Sequence, residues 1–173
     1  MQVLRLMALP LFALSLSVSI TGCDQKNDTL QGKQNNMTAF IKKIAASKES
    51  EETQRYVGNL NGIEIKLTYY YKGDIVLRQI SEHKLLYKTL KANNKEEAQK
   101  MLSQVGEAYQ GLTERIDYYD SYATEYVDIN FTQAKISDLC KLPGSSIDNC
   151  SAYYLSMIRS QKLLEESGYH RIN

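Results

Sequence analysis

The chain has no tryptophan, two prolines, three cysteines and two histidines in 173 residues. Three cysteines cannot build the framework of a disulfide-dense miniprotein. A basic excess is missing too: 21 Lys and Arg stand against 20 Asp and Glu, so charge does not point to nucleic acid. Only one long apolar run is present, at the N-terminus, which excludes a polytopic membrane protein. Catalytic signatures are equally scarce. There is no Gly-x-Ser-x-Gly elbow, no His-Glu-x-x-His pair and no phosphate-binding glycine loop. His83 closes a predicted strand and His170 lies near the C-terminus; both read as surface residues, which leaves no base for a nucleophile. No ligand set has zinc spacing. The expectation is therefore no catalytic residue, no metal, no cofactor and no enzyme activity.

What is present is a globular composition, 43% hydrophobic and 24% charged, with the length of one domain. The N-terminus is the most informative segment. Arg5 precedes an apolar stretch from Leu6 to Ile20, and Ile20-Thr21-Gly22-Cys23 follows directly. This resembles a bacterial lipoprotein signal peptide with its lipobox. The resemblance implies cleavage after Gly22 and acyl chains on Cys23. At roughly 0.8 kcal/mol per buried methylene, two or three chains hold a protein stably on a bilayer. The alternative, an uncleaved membrane helix with an incidental cysteine, would need a longer apolar run. Asp24 directly after the lipidated cysteine resembles the signal that keeps a Gram-negative lipoprotein in the inner membrane. The expected location is the periplasmic face of that membrane. Removing residues 1–22 takes away only Arg5 among the charged groups, leaving 20 basic and 20 acidic residues in the mature chain.

Residues 24–36, DQKNDTLQGKQNN, are too polar to build a core and read as a tether. Within 38–48, Thr38 is placed to cap a short helix with Phe40, Ile41 and Ile44 on one face. Lys42 and Lys43 lie opposite. Such a helix lies on lipid headgroups, docks on the domain or frays. The division is then 1–22 signal peptide, 23–52 lipidated cysteine, tether and short helix, and 53–173 folded domain.

From Gln54 the pattern becomes strand-like. Tyr56, Gly58 and Leu60 alternate, Asn61-Gly62 intervenes, and Ile63, Ile65, Leu67, Tyr69 and Tyr71 alternate again. Asn-Gly between such runs predicts a hairpin with a type I′ turn, pairing Leu60 with Ile63, Gly58 with Ile65 and Tyr56 with Leu67. Lys72-Gly73-Asp74 makes a second turn, and Ile75 to His83 a third strand. Asn94 with Glu97 three residues on is a capping-box arrangement. It opens a helix carrying Ala98, Met101, Leu102, Val105 and Tyr109, which Gly111 stops. Strands are expected at 113–119 and 123–132, the latter with Val127, Ile129 and Phe131 inward. A helical turn near 137–142 ends at Pro143-Gly144. A last helix over 152–167 ends at Gly168, and 169–172 suits a short final strand. This is an α+β order, β-β-β-α-β-β-α-α, with an antiparallel sheet of about five strands and helices on one face.

The segments NGIEIKLTYYYKGD (61–74), NNKEEAQKML (93–102), YQGLTERIDYYDSYATEYVDINF (109–131), KLPG (141–144) and LLEESGY (163–169) together resemble the YehR-like lipoproteins. The likeness covers about 53–173 in the same order. It implies an α+β lipoprotein domain and supplies no reaction, so no catalytic residues are carried over. Cys140 and Cys150 flank the KLPGSSIDN loop and are not part of that pattern. In an oxidising compartment they suit a structural disulfide, with free thiols or a redox role as alternatives.

Two surfaces remain as candidate sites. Asp117, Asp120, Glu125 and Asp128 lie on the fourth and fifth strands, where a hairpin could bring Asp117 near Glu125 or Asp128 for acid–base work or a hard cation. The plainer reading is the wet face of a sheet, with Arg115 as an ion-pair partner. Tyr70, Tyr119 and Tyr126 point away from the side bearing Ile65 and Leu67. A tyrosine-rich face suits peptide, glycan or protein contacts, and cross-strand aromatic packing is the alternative. The resulting expectation is a non-enzymatic, membrane-anchored domain. Its partners are the bilayer, through Cys23, and an inner-membrane or periplasmic protein, without nucleic acid. A small-molecule or glycan-binding lipoprotein is the rival, favoured by a concave tyrosine pocket and weakened by a flat sheet. A cation-dependent hydrolase on the acidic hairpin is the third reading.

Overall fold

A computed structural model describes residues 39–102, 109–142, 147 and 149–173. A helix, α1, covers residues 39–45. Three strands follow in a meander: β1 (Glu52–Leu60), β2 (Ile63–Lys72) and β3 (Ile75–Leu86). Then come α2 (Tyr87–Leu90), α3 (Lys95–Met101), β4 (Leu112–Tyr118), β5 (Tyr122–Asn130), α4 (Ile136–Leu139), α5 (Met157–Glu166) and β6 (His170–Ile172). The strands form one antiparallel sheet in the order β4-β5-β3-β2-β1-β6. The α+β class stands, with six strands because the short final segment pairs with β1.

The first hairpin follows the sequence to the residue. Leu60 faces Ile63, Gly58 faces Ile65 and Tyr56 faces Leu67. Asn61 and Gly62 have φ of 53° and 83°, the double positive φ of a type I′ turn. That register puts Tyr56, Ile65, Leu67 and Tyr69 on one face, where all are buried. Ile136 and Leu139 of α4 and Met157 and Leu164 of α5 pack there in one cluster. Tyr87 of α2 and Ala98 of α3 join Ile116 and Ala123 in a second, smaller one. Across the other face, most described side chains of β2, β3 and β5 keep solvent access, while Thr124 and Lys72 are buried.

Several boundaries move, each for a local reason. β3 runs on to Leu86 because Leu85 continues the inward alternation beyond His83. α5 starts at Met157 and not at 152. Ser156 caps it by accepting from the Arg159 amide, and residue 156 itself bridges to Ile75. β5 stops at Asn130, whose side chain turns back to accept from the Thr132 amide and hydroxyl. Asn94 caps α3 by accepting from the Glu97 amide, while the Glu97 carboxylate accepts from the Asn93 amide. The helix expected to run on to Gly111 ends instead at Met101, because Leu102 turns to extended backbone with φ of −92° and ψ of 102°; Val105 and the Pro143-Gly144 stop lie outside the described residues.

The β2–β3 turn is a junction. Lys72 Nζ donates to the carbonyls of Ala45 and Ser47, at 2.8 and 2.9 Å, at the C-terminal end of α1. Asp74 Oδ1 accepts from Ser156 Oγ and from the Ile158 amide, at 2.9 and 2.8 Å, at the N-terminus of α5. Each helix end thus meets the charge that its dipole and open backbone groups favour. Ile41 is buried, so α1 docks on the domain through that side chain and through Lys72. At the other end of α5, Gly168 with φ of 81° turns the chain and Tyr169 comes to lie over Gly58. A Cβ at Gly58 would stand 2.5 Å from the Tyr169 ring, so this strand position requires glycine.

Candidate functional site

The proposed lipidation and sorting residues, Cys23 and Asp24, lie outside the described residues. The tyrosines do not. Tyr70 on β2 and Tyr126 on β5 occupy the face of the sheet opposite α4 and α5, away from Ile65 and Leu67. Tyr119 sits just past β4 in the β4–β5 turn and stacks on Tyr122 with ring centroids 4.6 Å apart. A cation covers each strand tyrosine on this face. Arg78 lies 5.6 Å from the Tyr70 centroid, Lys84 5.0 Å from Tyr122 and Arg115 4.5 Å from Tyr126. Arg78 also donates through Nε to Asp128 at 2.8 Å, and Lys66 pairs with Glu82 at 3.0 Å. The face is a mosaic of aromatic rings and paired charges on an open sheet.

The acidic hairpin does not converge. Asp117 faces Thr124 and pairs with Arg115 at 3.1 Å. Asp128 faces Thr113 and pairs with Arg78. Glu125 turns to the opposite, inner face, beside Ile116 and His83. Among the described residues no three His, Cys, Asp or Glu side chains are grouped to hold a metal.

His83 corrects the sequence reading. It is 2% exposed rather than on the surface, and Nδ1 lies 2.6 Å from Glu125 Oε2, itself inside the core. His170 is exposed, as expected. The His83–Glu125 pair has the form of an oriented base, yet nothing completes it. His83 Nε2 and Ser81 Oγ are both buried without a hydrogen-bond partner, and the pair is sealed from substrate. Its parity was readable: His83 alternates in phase with Leu85, and Glu125 with Val127 and Ile129.

Sequence reasoning missed a cavity. About 390 Å³ of space lies between α5, the segment before it and the sheet. Tyr69 lines it from the sheet, Ile136 from α4, and Tyr153, Tyr154, Leu163 and Leu164 from the other side. Its size and mostly apolar lining are those of a small-ligand site. Cys140 and Cys150 are joined by a disulfide with Cα atoms 5.8 Å apart, and Ile147 and Asn149 from the bridged loop also line the cavity. A loop of this length is stabilised by about 2–3 kcal/mol on the chain-entropy account. Burial pushes the Tyr69 phenol well above its usual pKa, and Tyr169 up to about 12.

Residues 52–170 match a protein family of unknown function, DUF1307. An uncharacterised lipoprotein of Listeria monocytogenes, Lmo0207, is 37% identical over 133 residues, which is 75% of this chain and 87% of the relative. The uncharacterised lipoprotein YehR of Escherichia coli is 30% identical over 139 residues, 78% of this chain and 91% of its own. The NMR structure of E. coli YehR superposes with a TM-score of 0.63 at 31% identity, covering 73% of this chain and 94% of that one. A Streptococcus pneumoniae protein solved by NMR shares the fold at a TM-score of 0.52 and 12% identity, covering 92% and 96%. The chain belongs to the DUF1307 family of YehR-like lipoproteins. No described helix is long and apolar enough to cross a membrane.

Proposed function

We propose that this member of the DUF1307 family is held on the extracytoplasmic side of the cell membrane by acyl chains on Cys23. There it acts as a non-catalytic accessory module that binds an envelope protein. In a Gram-negative cell, Asp24 would keep it on the periplasmic face of the inner membrane. The observation that carries the reading is the open sheet face, where Tyr70, Tyr119 and Tyr126 stay at least partly exposed among arginines and lysines. The opposite face is sealed by helices. Tyrosine and arginine are the residues enriched where proteins meet. Photo-crosslinking from position 70 or 126 of the lipidated protein in cells tests it. One membrane or envelope protein captured from both positions, and not from exposed Lys162 on α5, is the expected result. Equal capture from all three sites would overturn it.

The cavity supports a second reading, a carrier or sensor of a small apolar ligand. The tyrosine face is an open sheet, so the ligand reading moves from there to the pocket beneath Tyr153 and Tyr154. Mass spectrometry of protein purified from its native membrane under non-denaturing conditions would reveal a bound molecule. A ligand that Leu163→Trp excludes would favour this reading over the first.

A further inference from the structure

The two ends of the sheet are unequal. The end bearing the β2–β3 turn gathers the start of β1, the C-terminus of α1 on Lys72 and the N-terminus of α5 on Asp74. The far end carries the Asn61-Gly62 and 119–121 turns, about 35 Å away along the twelve-residue β3. Of the exposed large apolar side chains, Phe40, Tyr153, Tyr154 and Ile158 belong to the first end, and Ile158 is 73% exposed. Lys42 and Lys43 are exposed beside Phe40. α1, the first described element, docks at this same end. Residues 23–38 precede α1, and sixteen residues reach at most about 55 Å when fully extended.

We propose that this end, through Phe40, Tyr153, Tyr154 and Ile158, rests on the bilayer that holds the acyl chains of Cys23. The inference rests on the reading that Cys23 is lipidated. An anchor within that reach gives the patch a high effective concentration at the lipid surface, so a weak apolar contact suffices. Tyrosine and lysine are the side chains that settle at the headgroup level, with an apolar body below and a polar tip in water. The orientation leaves the tyrosine-bearing β4–β5 turn farthest from the membrane.

The absence of native tryptophan makes the test clean. Tyr153→Trp, Ile158→Trp and Tyr119→Trp are made singly in the lipidated protein. Each is reconstituted in vesicles of phosphatidylethanolamine and phosphatidylglycerol carrying brominated acyl chains, with circular dichroism to verify the fold. Quenching several-fold stronger at 153 and 158 than at 119 is expected. Equal quenching at the three positions, in protein that floats with the vesicles, overturns the orientation while leaving the anchor intact. Loss of flotation overturns the anchor and the proposal with it. Blue-shifted, unquenched emission at 153 and 158 assigns the patch to a protein partner or a second copy, and also overturns it.

Discussion

Both faces of the sheet carry tyrosines, and different forces hold the two sets. On the inner face Tyr56 and Tyr69 meet edge to face with centroids 6.1 Å apart. Their neighbours form a hydroxyl chain in which Tyr56 donates to Gln54, Gln54 donates to Tyr71 and Tyr71 donates to Glu52. On the outer face Tyr70, Tyr122 and Tyr126 lie under side-chain cations and keep contact with water. Burial makes the first set part of the fold, since a large side chain removed from water contributes several times what an exposed cation–π contact does. The second set contributes far less to folding, which leaves it available for recognition.

The largest test of that contrast is Tyr69→Ala. It removes a fully buried ring that floors the cavity and should lower stability by about 3–5 kcal/mol in urea unfolding. A loss under 1 kcal/mol would mean that the inner tyrosines are no more structural than the outer ones. Glu125→Ala comes next. It strips the partner from His83 inside the core and should cost about 3 kcal/mol or more. Replacing both residues with leucine should recover most of that loss, because neither member of the pair is then left unpaired. If the double variant were as unstable as the single one, packing and not polar pairing would govern this part of the inner face. Tyr126→Ala on the open face should change stability by less than about 1 kcal/mol, while the crosslinked partner is lost.

The sequence carried the meander almost completely, and the reason is local. A type I′ turn at Asn61-Gly62 and a strict period of two fix register without help from the rest of the chain. The Gly168 stop and the Asn94 cap are legible for the same reason. His83 and Glu125 were misread because residue type was allowed to outweigh parity, although both alternate in phase with buried neighbours. The junction at Lys72 and Asp74 could not be read at all. Its partners stand 25 and more residues away in the chain, and nothing in the local pattern marks them. The cavity is likewise a product of tertiary packing, formed where α4, α5 and the disulfide loop meet Tyr69. The open tyrosine face was legible in its positions: Tyr70 and Tyr126 follow from alternation, whereas Tyr119 reaches that face by stacking from a turn.

The smallest effect expected at neutral pH comes from Tyr169→Phe, and it separates burial from hydrogen bonding on the inner side. The Tyr169 ring packs over Gly58, while its hydroxyl is buried without a partner. Phenylalanine keeps the ring and removes the unsatisfied group, so stability at pH 7 should be unchanged or higher by up to about 1 kcal/mol. Alkaline pH then makes the difference visible. Burial holds the Tyr169 pKa at about 12 in the folded protein, against an ordinary value of 10.0. Between those values the unfolded chain has released this proton and the folded chain still holds it. The contribution is therefore intact below pH 10 and is lost as pH rises toward 12. Tyr169→Phe should lose less stability across that window than the parent, measured as the shift in urea midpoint at each pH. Parallel curves for the two proteins would mean that the Tyr169 hydroxyl is wet, and that the end of the sheet where β6 joins is looser than the rest of the inner face.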